Sequence, residues 1–164
     1  MPASDQNVKS ERYQIIPRVL IFVTRGDLLL LLKIKGKGRW DGRYNGLGGH
    51  IERGESLLEA ARRELMEESG LQAELRLVGT LLVDTGENPG IGLFIFTGEA
   101  DPGELVPSDE GDLVWIPLWD VGKLPLLDDV PILLRRIVTQ SEAGPFSARS
   151  YYDETGSLKV IFAR

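Results

Sequence analysis

Three glutamates, Glu64, Glu67 and Glu68, stand at i, i+3 and i+4, the spacing that places side chains on one face of a helix. Carboxylates so close repel one another, and a purely structural helix gains nothing from the arrangement. A hard cation that prefers oxygen ligands relieves the repulsion. Mg²⁺ binds few carboxylates and keeps positions for water and phosphate oxygens. Taken alone, the trio reads rather as a solvated acidic face, the ordinary explanation of a charge run. The wider spacing decides between the two. From Gly49 to Leu71 the chain fits G-x5-E-x7-R-E-U-x-E-E-x-G-U, with U aliphatic. Gly49, Glu55, Arg63, Glu64, Leu65, Glu67, Glu68, Gly70 and Leu71 fill every fixed position. At a usage of roughly 5–9% per fixed residue, a chance match is on the order of 10⁻⁹ per starting point.

The elements that must position these residues follow from patterning. Tyr13–Thr24 and Leu28–Ile34 are apolar and β-rich, split by the turn Arg25-Gly26-Asp27. Lys35–Gly49 is basic and glycine-rich, and predicts a loop. Ser56–Ser69 predicts a helix, opened by a Ser56/Glu59 capping box and stopped at Gly70. On it, Ala60 leaves the carboxylate face open, while Leu58, Ala61 and Leu65 form an adjacent stripe to bury. Strands are expected at Leu71–Asp84, Ile91–Glu99 and Asp112–Pro117, a helix at Val130–Thr139 behind Asp129, and a hairpin from Phe146–Tyr152 to Ser157–Ala163. Mixed strands with few helices predict one α/β or α+β domain over 13–164, after a disordered tail over 1–12.

Bulk properties narrow the function. The 164 residues carry no cysteine, which excludes disulfides, thiolate zinc sites and cysteine nucleophiles and fits a cytoplasmic, reducing setting. His50 is the only histidine, so neither a Ser/His/Asp triad nor a zinc site of several histidines is a natural reading. A net charge of −6 argues against a nucleic acid polymer as partner, because such binding leans on Lys and Arg. No apolar run reaches the ~20 residues of a membrane span, and the polar N-terminus lacks the apolar core of a signal peptide.

The Gly49–Leu71 segment is the signature of the Nudix hydrolases, and the chain resembles that family without a departure inside it. The resemblance implies an α/β/α sandwich with a mixed sheet and a loop-helix-loop. It implies water attack on a phosphorus of a diphosphate, with Glu64, Glu67, Glu68 and the Gly48 carbonyl holding Mg²⁺, for which Mn²⁺ substitutes. One of the glutamates would serve as general base. Glu55 and Arg63 would form an ion pair pinning the loop. Lys33, Lys35, Lys37, Arg39 and Arg43 precede the segment and suit the steering of a polyphosphate.

Outside the segment the chain looks like the MutT-type branch, which hydrolyses oxidised purine nucleoside triphosphates. Tyr44-Asn45-Gly46-Leu47-Gly48-Gly49 is similar to that branch's W-N-G-F-G-G run, which implies that Asn45 contacts the base; a turn former is the alternative. Glu110, five residues before Trp115, would add a metal ligand. Asp128-Asp129 matches an acidic pair that reads the purine edge, although Asp129 is also a good helix cap. Departures bear on the base: Tyr44 and Leu126 replace tryptophans, Val83 replaces an aromatic, and the loop Lys33–Gly46 is longer, with Trp40 in it. The expected reaction is therefore cleavage of a nucleoside triphosphate, including oxidised purines, to monophosphate and pyrophosphate, by a monomer or homodimer acting on a small-molecule nucleotide. ADP-ribose or another nucleoside diphosphate derivative is the alternative substrate. A non-catalytic nucleotide-binding module is the third reading.

Overall fold

The computed structural model describes residues 6, 11–139 and 144–163, so the expected tail over 1–12 lies almost wholly outside the described residues. Its elements are β1 (Ile15–Arg25), β2 (Leu28–Ile34), β3 (Tyr44–Asn45), α1 (Leu57–Ser69), β4 (Arg76–Val83), β5 (Gly90–Glu99), β6 (Gly111–Pro117), α2 (Val130–Thr139), β7 (Phe146–Tyr152) and β8 (Leu158–Phe162). The strands form one sheet in the order β3-β2-β1-β5-β4-β7-β8, with β6 also paired to β2. The sheet is mixed: β1 runs parallel to β5 and β4 parallel to β7, while the remaining pairings are antiparallel.

β1 explains why the sheet sits in the middle. Leu20 and Phe22 join Leu29, Leu31, Val130 and Leu133 on the α2 face. Val19, Ile21 and Val23 join Leu30, Ala60, Ala61 and Leu65 on the α1 face. A strand covered on both faces reads as a continuous apolar run, as Val19–Val23 does. One helix on each face gives the expected α/β/α sandwich. Among the described residues no helix is long and apolar enough to cross a membrane.

Two expectations shift. β4 starts at Arg76 rather than Leu71, because Leu71 and Leu75 turn into the core beneath α1 and Ala73 makes only a single bridge, to Ala100. The expected loop Lys35–Gly49 contains β3, whose two pairings, Leu32 with Asn45 and Lys33 with Tyr44, are too few to leave a periodicity in the sequence. Residues 35–43 remain a loop, with one 3-10 turn at Gly38–Trp40. It is closed at its base by Ile34 N–H to Arg43 O (2.9 Å) and Gly42 N–H to Ile34 O (2.8 Å).

Candidate active site

The run after β3 lies along β1. Leu47 exchanges two backbone hydrogen bonds with Ile21, at 2.8 and 3.1 Å, and the Gly49 carbonyl accepts from Val19 N–H at 2.9 Å. Gly48 between them donates its N–H to Glu68 Oε2 at 2.9 Å instead. Two glycines make this close approach possible. Gly48 has φ 138°, and a β-carbon on it would lie 2.1 Å from the Val19 carbonyl oxygen. A β-carbon on Gly49 would lie 2.5 Å from Glu64 Oε1, so the carboxylate rests directly on the bare backbone.

Helix α1 presents its glutamates unequally. The capping box fixes its start: Ser56 Oγ accepts from Glu59 N–H and Glu59 Oε2 from Ser56 N–H. Ala60 is fully buried, so the face it shares with the glutamates is turned toward the sheet at that level. One and two turns on, Glu64 and Glu68 are drawn inward: the Glu64 side chain is 13% exposed and Glu68 is 9% exposed, against 61% for the Glu67 side chain. Burial pushes the Glu68 carboxyl up to about 7, with the charges of Glu110 and Glu64 adding to the rise and the Gly48 N–H and Lys37 opposing it.

Arg63 ties this face to the loop before it. Its Nε and Nη2 meet the two Glu55 oxygens at 2.6 and 3.0 Å, and Nη2 also donates to the His50 carbonyl at 3.0 Å. Its Nη1 reaches Glu64 Oε1 at 2.9 Å and Glu67 Oε2 at 3.2 Å. The guanidinium first, and then the Glu52 N–H, lower the Glu55 carboxyl to about 2. Arg63 thus does more than pin the loop: its single positive charge is shared among Glu55, Glu64 and Glu67.

Glu110, in the turn just before β6, comes close enough to Glu68 to raise its carboxyl, and is itself paired with Lys37 Nζ at 2.5 Å. With Arg63 and Lys37 in these places, no three acidic side chains among the described residues converge closely enough to hold a metal ion as they stand. The donor chemistry nevertheless fits one. Glu64, Glu67, Glu68 and Glu110 are oxygen donors, and the Gly48 carbonyl accepts no backbone hydrogen bond among the described residues. An all-oxygen set of this kind suits Mg²⁺ or Mn²⁺. Glu67, held only by the exposed edge of Arg63, is free to turn toward such an ion.

A second group of candidate residues is assembled from distant segments. Tyr44 N–H donates to Pro125 O (3.0 Å) and Leu127 N–H to Tyr44 O (2.9 Å), so 125–127 lies against β3. Asn45 Oδ1 accepts from Gly46 N–H at 2.8 Å, the local bond of a turn former, which leaves its NH₂ group to donate elsewhere. Lys33 Nζ stands 5.9 Å from the centre of the Tyr44 ring. Asp128 bonds Arg43 Nη2 through Oδ1 (2.5 Å) and the Tyr152 hydroxyl through Oδ2 (2.9 Å), and Arg43 first of all holds its carboxyl below the usual range. Asp129 caps α2, its carbonyl accepting from Ile132 and Leu133 N–H, and burial raises its carboxyl. Leu126 is buried in the α2-side core, and no ring stands at its position.

The NUDIX domain model matches residues 14–137. The chain belongs to the Nudix family. As a Nudix hydrolase it is 35% identical over 127 residues to an oxidized purine nucleoside triphosphate hydrolase of Danio rerio, covering 72% of this chain and 78% of that one. It is 32% identical over 147 residues to an NAD-capped RNA hydrolase of Salmonella heidelberg, covering 87% of this chain but only 53% of the relative. A MutT protein of Bacillus halodurans superposes with a TM-score of 0.75 at 25% identity, over 90% of this chain and 97% of the other.

Among the parts of this Nudix site not foreseen from the sequence are, first, the reach of Arg63 to Glu64 and Glu67 and, second, the presence of Tyr152 beside Asp128. The first has a signal, since Arg63 and Glu67 are four residues apart on a helix. The second has none, because the contact exists only once β7 has docked beside β4.

Proposed function

We propose that this Nudix hydrolase, as a single domain over 13–164, cleaves a purine nucleoside triphosphate, oxidised purines included, to the monophosphate and pyrophosphate. The observation that carries the reading is the run Asn45-Gly46-Leu47-Gly48. It joins the base end to the carboxylate end, and three residue steps span at most about 10 Å. That length suits a nucleoside with its phosphates reaching the glutamates. Glu64, Glu67, Glu68, Glu110 and the Gly48 carbonyl are the groups that hold Mg²⁺. When bound, the ion neutralises phosphate oxygens and makes water a better nucleophile. The chain's own work is positional. Arg63 and Glu55 hold the loop against α1, Gly49 lets Glu64 sit against backbone, and Glu68 is the carboxyl with proton affinity near neutrality. Lys33 faces the triphosphate, and Asn45, Asp128 and Asp129 line the base.

The likeness to NAD-capped RNA hydrolases supports a second reading, a diphosphate linking two nucleosides, in which the carboxylate end is unchanged and the base end differs. The purified protein with Mg²⁺ should be given ordinary and 8-oxo deoxynucleoside triphosphates, ADP-ribose and NAD, with the Glu67→Gln/Glu68→Gln double variant as blank. Purine triphosphates turning over fastest, with monophosphate and pyrophosphate as products, is the expected result. Faster turnover of ADP-ribose or NAD replaces it by the second reading, and no difference from the blank removes both.

A further inference from the structure

Asp128 is the one acidic group at the base end whose two oxygens are both engaged by side chains remote in sequence. Arg43 belongs to the end of the 35–43 loop, Tyr152 to the last position of β7, and Asp128 to the turn before α2. Arg43 Nη2 also donates to the Leu126 carbonyl, so the guanidinium is anchored on the backbone as well as on the carboxylate. The bridge between Tyr44 and Leu126 is parallel, which carries the chain from Leu126 to Asp128 beside the run from Tyr44 to Gly46. Leu126, two residues before Asp128, is thereby held against Tyr44, the residue before Asn45.

We propose that Arg43 and Tyr152 are positioning residues for base selection: they fix Asp128 as a hydrogen-bond acceptor, so that the ring edge admitted beside it is one that offers N–H donors. The inference rests on the purine triphosphate reading above. A carboxylate held in this way has acceptors only. A guanine-type edge, with N1–H and the exocyclic amine side by side, meets it with donors. An adenine-type edge places the N1 lone pair against it and leaves the carboxylate unpaired on that side, the kind of mismatch a hydrogen-bonding site rejects strongly. The neighbouring Asp129 differs in kind: it is the more enclosed of the two and turned to the N–H groups at the start of α2. The two carboxyls are pushed in opposite directions, Asp128 down by Arg43 and Asp129 up by burial, so they are not interchangeable readers.

The test compares kcat/KM for guanine and adenine deoxynucleoside triphosphates in the wild type, Tyr152→Phe, Arg43→Gln and Arg43→Lys, alongside calorimetric Kd values for the two deoxynucleoside monophosphates without metal. Tyr152 is half-exposed, so loss of its hydroxyl leaves the fold to stand, and thermal melts check this for all variants. We expect a guanine preference in the wild type. It should fall about tenfold in Tyr152→Phe and further in Arg43→Gln, through KM and Kd rather than kcat, with partial recovery in Arg43→Lys. A folded Tyr152→Phe and a folded Arg43→Gln that both keep the wild-type ratio overturn the inference and leave the triphosphate reading standing. An adenine preference in the wild type does the same. Absence of purine triphosphate turnover in the wild type overturns both.

Discussion

Glu68 and Asp128 are both carboxylates held by hydrogen bonds, and they are held differently. Glu68 is nearly buried and bonded to a backbone amide 20 residues earlier, inside one stretch of loop and helix. Asp128 is half-exposed and held by two side chains, 85 residues before it and 24 after it. The carboxylate end, Glu110 apart, is thus a local construction whose partners travel together in the sequence. The base end is a long-range construction, made only when the loop, the turn before α2 and β7 have come together. The contrast suggests that the first should tolerate little change and act on any substrate, while the second should tolerate change and decide which substrate.

The comparison can be broken most decisively at Gly49. Gly49→Ala pushes a methyl group into Glu64, so kcat should fall 100-fold or more, and by the same factor for every substrate turned over. A loss confined to purine triphosphates would contradict the division of labour. Next comes Glu68. Its carboxyl binds a proton more tightly in the folded protein, at about 7, than at the ordinary 4.5, so its favourable contribution is complete below about 4.5 and is lost as the pH rises through about 7. In chelator, Glu68→Gln should therefore stabilise the protein at pH 8 by up to about 3 kcal/mol and by little at pH 4.5, as read from denaturant melts at the two pH values. Asn45→Ala belongs to the other end: KM for purine triphosphates should rise about tenfold with kcat little changed, the value of one hydrogen bond. Smallest of all, Lys35→Ala breaks an ion pair with Asp112 whose side chains are 61% and 54% exposed, and should alter stability by less than about 0.5 kcal/mol.

What was legible in the sequence follows the same line. The capping box and the Gly70 stop were readable because each joins residues within a turn of chain, and the Glu55–Arg63 pair came from the family resemblance. The continuous apolar run of β1 marked a buried strand, and the two-faced sandwich came from the family resemblance. The inward turn of Glu64 and Glu68 was not readable, because helical spacing fixes which residues share a face but not which way that face looks; the buried Ala60 decides it. The approach of Glu110 to Glu68 came from resemblance alone, since 42 positions of chain separate the two residues. Tyr152 was out of reach: nothing around it marks one hydroxyl of a hairpin for a carboxylate on another element.

The 35–43 loop is fastened to its surroundings largely by ion pairs, Lys35 to Asp112, Lys37 to Glu110 and Arg43 to Asp128. All three have at least one well-exposed partner, whereas the bond from Gly48 to Glu68 lies beneath the surface. Dissolved electrolyte weakens the first kind and hardly touches the second: the screening length shrinks from ~10 Å at 0.1 M to ~3 Å at 1 M. Rising ionic strength should therefore loosen the surroundings of Asp128 before it disturbs those of Glu68, and on the proposed reading selectivity among bases fades before turnover does.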